Sequence, residues 1–273
     1  MDHLRARAHQ WDVNIEHIWE TPGSLLASGM RRSSPVVLKI SKQRGDELRA
    51  GEVLRAFAGH GAVRVLEFDR GAILLERLEP GKQLVELVQL GKDEEATQIL
   101  SEVMLRMAHH AAPEHCPTVL DWAQGFDRYL HTGDNRIDES LLNEARELYQ
   151  SLATSQKTTM LLHGDLHHYN VLFDSSRGWV AIDPKGVVGE VEYEVGAMLR
   201  NPTEQVDLFA STSTIERRLE RLASILHLDY DRALAWAFAQ AVLSAIWDIE
   251  DGYQLGPDHH TLKLARTIKI LLR

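Results

Sequence analysis

The period of the apolar residues changes once along this chain, near Pro80-Gly81, and that change limits the folds open to it. Before it, short runs rich in Val, Ile and Leu read as strands: PVVLKI (35–40), AVRVLEFD (62–69) and AILLERL (72–78). Asp69, Arg70 and Gly71 join the last two runs in a turn that suits a hairpin. Between the first two lies GDELRAGEVLRAFAGHG, where Leu48, Val53, Leu54 and Phe57 follow helical spacing and Gly59 and Gly61 end it. After LEPGKQL (78–84), long amphipathic segments such as EEATQILSEVMLRMAHHA and SLLNEARELYQSLA take over. The expectation is an α+β chain with an N-terminal lobe over residues 1–78, built on a small antiparallel sheet, and a larger helical lobe over 79–273.

Within the helical part, Ser213 and Glu216 stand three apart before an apolar run, as a capping box requires, and Asp229 can cap the helix that follows. In that helix Leu234, Phe238, Val242, Ala245 and Ile249 fall on one stripe, which marks them as packing residues. The stretch AWAFAQAVLSAIW (235–247) is too short to span a bilayer and is flanked by charges, so a buried helix is expected and no membrane partner. The chain carries 30 Lys+Arg against 40 Asp+Glu, a formal net charge of −10, which argues against nucleic acid as a partner and suits a cationic ligand. The single cysteine, Cys116, cannot form an internal disulfide, and Met1 to Trp11 lacks the apolar core of a secretory signal. A cytoplasmic location is expected; the oligomeric state cannot be read.

One segment breaks the helical pattern. TMLLH and NVLF flank a polar loop, and WVAIDP follows the turn DSSRG, so LLHGDLHHYNVLF (161–173) places Asp165 and Asn170 between two short strands and Asp183 at the end of the next. Three chemistries compete for this loop. His163, Asp165, His167 and His168 resemble a transition-metal set, but their order matches no familiar ligand run, and no H-E-x-x-H occurs. A nucleophilic enzyme would need an activated Ser, Cys or Thr, and there is no G-x-S-x-G elbow. Phosphoryl transfer uses more of the residues at once. It needs a carboxylate to orient or deprotonate a hydroxyl, for which Asp165 serves, and hard oxygen ligands for Mg²⁺, for which Asn170 and Asp183 serve. Asn170 follows Asp165 by five positions, the separation that a kinase catalytic loop uses between its base and its metal-binding asparagine.

The remaining parts of such a site can be sought upstream. Lys39 stands between apolar neighbours in VVLKI, where a charge is costly unless paired, and can meet the α and β phosphates. Its helix partner would be Glu47 or Glu52. The loop covering the nucleotide would fall in TPGSLLASG (21–29), with Ser24 as a candidate contact, although no G-x-G-x-x-G is present. LLERLEPG would form the hinge between lobes, and the absence of a Walker A run argues against a P-loop enzyme.

HGDLHHYNVLF followed by WVAIDPKGVVGEVEYEVGAMLRNP resembles the aminoglycoside phosphotransferase branch of the protein-kinase-like fold, and within it the streptomycin 6-phosphotransferase and hydroxyurea phosphotransferase group. GHGAVRVLEFDRGAILLERLEPG and LSAIWDIEDG extend the similarity over most of the chain. The resemblance implies a bilobal kinase-like fold, with Asp165 as catalytic carboxylate, Asn170 and Asp183 as Mg²⁺ ligands and Lys39 as the phosphate-binding lysine. It also implies an ATP pocket whose adenine meets the hinge from Glu76 to Leu78. Where related sequences often carry the lysine's glutamate partner, Ala50 stands here, so Glu47, about a turn earlier, is the chosen partner and Glu52 the second. Streptomycin, the expected cationic acceptor, carries two guanidinium groups, which carboxylates hold in bidentate pairs. Glu192, Glu194, Asp207, Glu250 and Asp251 are the candidates, with Asp248 beside them, and Trp247 can stack on a sugar or cation. The alternatives are a kinase of another small metabolite, such as hydroxyurea, an amino alcohol or a sugar, and a non-catalytic nucleotide-binding protein of the same fold.

Overall fold

The computed structural model describes residues 2–42, 46–256 and 259–272, with the side chains of Asp46 and Glu47 outside that description. Helix α1 (Asp2–Gln10) precedes an antiparallel five-stranded sheet of β1 (Val13–Glu20), β2 (Ser24–Arg31), β3 (Ser34–Ser41), β4 (Val65–Asp69) and β5 (Ala72–Glu76), in spatial order β1-β2-β3-β5-β4. Helix α2 (Asp46–Phe57) enters between β3 and β4. The expected strands and inserted helix are present, whereas α1 and the β1–β2 hairpin were not foreseen. The reason lies in β1: its register slips between Ile15 and His17, so the apolar positions Val13, Ile15 and Ile18 lose the period of two that marks a strand. Much of the stretch expected to be a nucleotide-covering loop is the strand β2.

The sheet is covered on both faces. Leu4 and Ala8 of α1 pack with Val36, Leu38 and Ile40 of β3 and with Ala72 and Leu74 of β5. Ile73 and Leu75 point the other way, into the larger core that takes Ala50, Val53, Leu54 and Phe57 from α2. A strand buried on both sides reads as a continuous apolar run, as AILLE does. By the same alternation Lys39 lies opposite the Leu38 and Ile40 face, on the side of α2.

The chain leaves this sheet at Glu76 and joins a second one at Pro80: β6 (Pro80–Gln83) pairs with β8 (Val171–Asp174), which pairs with β9 (Gly178–Ala181). A separate two-stranded ladder joins β7 (Met160–Leu162) to β10 (Val187–Gly189). The loop expected inside one hairpin therefore links strands of two different sheets. Around them lie α3 (Val85–Gln89), α4 (Asp93–Met107), α5 (Val119–Trp122), α6 (Gln124–Thr132), α7 (Glu139–Thr154), α8 (Val195–Leu199), α9 (Val206–Phe209), α10 (Thr212–Leu226), α11 (Tyr230–Glu250) and α12 (His260–Leu271).

Helix α11 organises this part. Its residues from Ala233 to Ile246 are all buried, and Trp236 and Phe238 are fully so. Each large side chain buried to that extent contributes roughly 1.5–3 kcal/mol. Ala237, Ala239, Ala241 and Ala245 keep the helix narrow enough to be enclosed, so a leucine at Ala239 would overpack it. Asp229 caps it as expected, accepting from the Arg232 N–H at 3.1 Å. For α10 the cap is Ser211, which accepts from Thr214 N–H at 3.3 Å, rather than the Ser213–Glu216 pair, which lies inside the helix. Among the described residues no helix is long and apolar enough to cross a membrane.

Candidate active site

The loop after β7 is braced from within the protein before it reaches Asp165. His163, 2 % exposed, meets the Ile182 carbonyl through Nε2 at 2.9 Å, and its Nδ1 accepts the Asp165 N–H at 3.2 Å. Burial pushes its pKa down to about 4, which keeps the ring neutral and Nδ1 able to accept. Gly164 has φ +79, and a Cβ there would stand 2.9 Å from the Trp122 ring, so both conformation and space require glycine. Beneath the turn, Glu194 accepts the Gly164 N–H at 3.1 Å and the Leu166 N–H at 3.2 Å. It is 3 % exposed, and burial raises it to about 7 against the lowering effect of those two N–H groups.

Asp165 then presents its carboxylate beside cations. Arg200 donates through Nη2 to Oδ1 at 3.1 Å, and His167 Nε2 lies 3.5 Å from Oδ2. Burial favours the neutral acid, but His167, Arg200 and Lys185 outweigh it and hold the carboxyl well below the usual range. Asn170 donates its Nδ2 to the Asp165 carbonyl at 3.0 Å, so its oxygen, Oδ1, is the atom that could serve a metal ion. The Ile182 N–H to Asn170 carbonyl bond, 2.8 Å, then sets Asp183 next to the loop. Asp183 adopts φ 59, and its carboxylate forms an ion pair with Lys39 from β3. Lys39 is 7 % exposed. The two segments and the lysine singled out from sequence thus converge. Asn170 Oδ1 and the Asp183 carboxylate are hard oxygen donors of the kind Mg²⁺ takes.

Asp165 opens into a cavity of about 640 Å³, within the range of small-molecule sites. Its wall includes Trp122 and Trp247, whose rings meet edge to face at 5.4 Å, together with Asp121, Asp248, Glu250 and Asp251. It also includes Arg49, Arg128, Lys185 and Arg200, so the lining is nearly balanced in charge rather than acidic. Glu250 is engaged by Arg128 at 3.0 and 3.3 Å. Asp248, which burial raises to about 6 with Arg200 opposing, has His259 Nε2 at 3.5 Å. Asp248, His259 and His260 bring ligand-type atoms within 4.8 Å of one another, the one such group among the described residues. The loop histidines form none there: His163 is committed to the backbone, and His168 is 1 % exposed with both ring nitrogens buried.

Three of the expected acceptor carboxylates lie elsewhere. Glu194 is the buried brace just described. Glu192 accepts the Asp229 N–H at 3.3 Å, and Asp207, 98 % exposed, pairs with Lys263 at 2.8 Å. None of the three lines the cavity. Alternating carboxylates in GEVEYEVG suggested one polar face, but the 3-10 turn Val191–Glu194 sends Glu194 inward and leaves Glu192 only partly buried. On the nucleotide side, Ser24 is 2 % exposed, and its N–H is held by Thr21 Oγ1 at 3.1 Å. The Glu76 carboxylate binds Arg177 and accepts the Arg64 N–H at 2.9 Å, which ties the sheet to the β8–β9 turn. Leu78 is a core residue at 8 % exposure. The side chain of Glu47 lies outside the described residues. Arg200 was given no role from sequence; a guanidinium ending the buried run VGAML was the signal that it needed a partner.

A family model described as aminoglycoside/hydroxyurea antibiotic resistance kinase matches residues 10–252. The chain is 30% identical to streptomycin 3''-kinase of Klebsiella pneumoniae over 223 residues, 80% of this chain and 81% of that protein. It is 32% identical to hydroxyurea phosphotransferase of Kitasatospora aureofaciens over 215 residues, 76% of this chain and 61% of that one. Among solved structures it is similar to a thermostable mutant of an aminoglycoside phosphotransferase in ternary complex with AMP-PNP and hygromycin B. The TM-score is 0.67 at 15% identity, covering 100% of this chain and 98% of that one. The architecture is the protein-kinase-like fold, α+β.

Proposed function

Because the chain belongs to the aminoglycoside/hydroxyurea antibiotic resistance kinase family and is a small-molecule phosphotransferase, we propose that it transfers the γ-phosphoryl group of ATP to a hydroxyl of an aminoglycoside, with streptomycin the first candidate. The observation that carries this reading is the convergence at Asp165. Its carboxylate faces the cavity, while Asn170 is tied to its carbonyl and Asp183 to Lys39. Asp165 orients the acceptor hydroxyl and takes its proton late, once the bond to phosphorus is forming. Its strongly depressed basicity suits an orienting group in a loose transition state. Lys39 aligns the nucleotide phosphates. Asn170 and Asp183 are the residues that would hold Mg²⁺, which when bound neutralises phosphate charge. Most of the acceleration comes from positioning and charge neutralisation.

The choice of streptomycin rests on the end of α11, where Asp248, Glu250 and Asp251 stand beside Trp247 on the cavity wall. A guanidinium pairs with such carboxylates, and an indole face accepts a cation or a sugar. The four Arg and Lys residues of the same wall favour a second reading, a less cationic acceptor such as hydroxyurea or a sugar. Purified protein supplied with radiolabelled ATP and a panel of streptomycin, other aminoglycosides, hydroxyurea, choline and hexoses separates the two. Labelled streptomycin is expected; labelling of another acceptor with none of streptomycin rejects the first reading.

A further inference from the structure

The carboxylate of Asp165 is held from outside its own loop. Arg200, 8 % exposed, directs Nη2 to Asp165 Oδ1 at 3.1 Å and Nη1 to Gln240 Oε1 at 2.6 Å. Gln240, 2 % exposed in the middle of α11, is fixed in turn by donating Nε2 to the Tyr193 carbonyl at 3.1 Å. The packing leaves room for nothing else: a Cβ on Gly196 would stand 1.9 Å from Gln240 Oε1. Four, seven and eight positions further along α11 come Ser244, Trp247 and Asp248, all on the cavity wall and on the same helical face as Gln240.

We propose that Gln240 and Arg200 form a relay that holds Oδ1 of the Asp165 carboxylate in place from the helix that walls the acceptor cavity, Arg200 acting as a positioning residue. The inference rests on the catalytic role assigned to Asp165 above. The planar guanidinium spans Gln240 Oε1 and Asp165 Oδ1 through its two terminal nitrogens, a fixed fork that a lysine ammonium cannot reproduce. With Arg200 on Oδ1, the acceptor hydroxyl meets Oδ2, the oxygen that His167 Nε2 approaches at 3.5 Å. The segment 191–200 thus grips the loop twice, Glu194 by its backbone and Arg200 by its carboxylate. Because Gln240 and the acceptor-wall residues share one rigid helix, the hydroxyl and the group that receives its proton are set by a common element. A misplacement of about 1 Å in such an arrangement costs on the order of 100-fold in rate.

The test compares Arg200→Ala, Arg200→Lys, Gln240→Leu and Asp165→Asn, with kcat and KM for each substrate, fluorescent-ATP binding and thermal unfolding measured for all. Arg200→Ala is expected to lose about 100-fold in kcat with its KM for ATP within about 3-fold, and millimolar guanidinium chloride to recover part of that loss. Arg200→Lys is expected to stay well below wild type, and Gln240→Leu to lose about 10-fold in kcat with nucleotide affinity retained. Guanidinium should do nothing for Asp165→Asn. A kcat for Arg200→Ala within about 2-fold of wild type, or a loss matched by lost nucleotide binding and unrelieved by guanidinium, overturns the relay. Should Arg200→Ala fail to fold, Gln240→Leu decides by the same criteria. Near-normal turnover by Asp165→Asn would instead overturn the role of Asp165, an outcome separate from the relay's own.

Discussion

Lys39, on the third strand of the N-terminal sheet, forms an ion pair with Asp183, 144 positions later in the chain. The pair crosses from one sheet to the loop after the other, and the lysine is almost wholly buried. Lys39→Ala removes the charge proposed above to align the nucleotide phosphates and leaves Asp183 without that partner. A fall of about 100-fold in kcat/KM for ATP is expected, with the acceptor KM within about 3-fold of wild type. Steady-state kinetics with each substrate varied checks this. A variant impaired toward the acceptor but not toward ATP would rule out the phosphate role.

How much of this was readable in advance depends on whether a residue's neighbours are close in sequence. Lys39 stood out as a lone charge in an apolar strand, and Asp165 with Asn170 by a five-residue spacing that one loop enforces. Arg200 and Gln240 carry no such spacing. Their meeting depends on how α8 and α11 are rotated against each other, which packing decides and periodicity alone does not. Glu192 and Glu194 show the converse, since a short 3-10 turn separates two carboxylates that looked equivalent. The β1–β2 hairpin escaped because a register slip erased its alternation.

Glu194 is raised by burial from the ordinary 4.5 to about 7, so the folded protein binds its proton more tightly than the unfolded chain does. Its contribution to stability is therefore full below about pH 4.5 and is lost as pH climbs through 7. Glu194→Gln keeps an oxygen for the Gly164 and Leu166 N–H groups but removes the titration. The stability of wild type relative to this variant should drop by roughly 3 kcal/mol between pH 4.5 and 8, read from urea unfolding at a series of pH values. His163 and His168 are shifted in the opposite sense and cancel in the difference. Parallel pH profiles for the two proteins would show that Glu194 does not titrate in this window.

Arg218, 2 % exposed on α10, donates to Asp93 at 2.5 Å and to the carbonyls of Met198 at 3.2 Å and Asn201 at 2.7 Å. It fastens the first turn of α4 to the segment that carries Arg200. Arg217 also reaches Asp93, at 2.8 Å, so Arg218→Ala leaves the carboxylate one cation and should cost less than the about 3–5 kcal/mol of a fully uncompensated buried charge, on the order of 2 kcal/mol. Replacing both members by apolar groups, in Arg218→Met with Asp93→Leu, should recover much of that loss. Urea midpoints at unchanged m-value measure both. A single-variant cost below about 1 kcal/mol would mean that the pair contributes little to stability.

Trp247 is placed where acceptor recognition and catalytic geometry can be separated. It lies seven positions after Gln240 on α11, lines the cavity, and packs edge to face on Trp122, which in turn covers Gly164 of the loop that carries Asp165. Its indole touches neither Asp165 nor the Lys39–Asp183 pair by any hydrogen bond or ion pair among the described residues. Trp247→Ala should therefore raise the acceptor KM by about 10-fold, the worth of one aromatic face against a sugar or cation, while the KM for ATP stays within about 2-fold. Trp247→Phe keeps an aromatic face and should recover most of the loss. If instead both Michaelis constants rise together in Trp247→Ala and the melting temperature falls with them, the indole supports Trp122 and the loop beneath it, and the acceptor is recognised by the carboxylates alone.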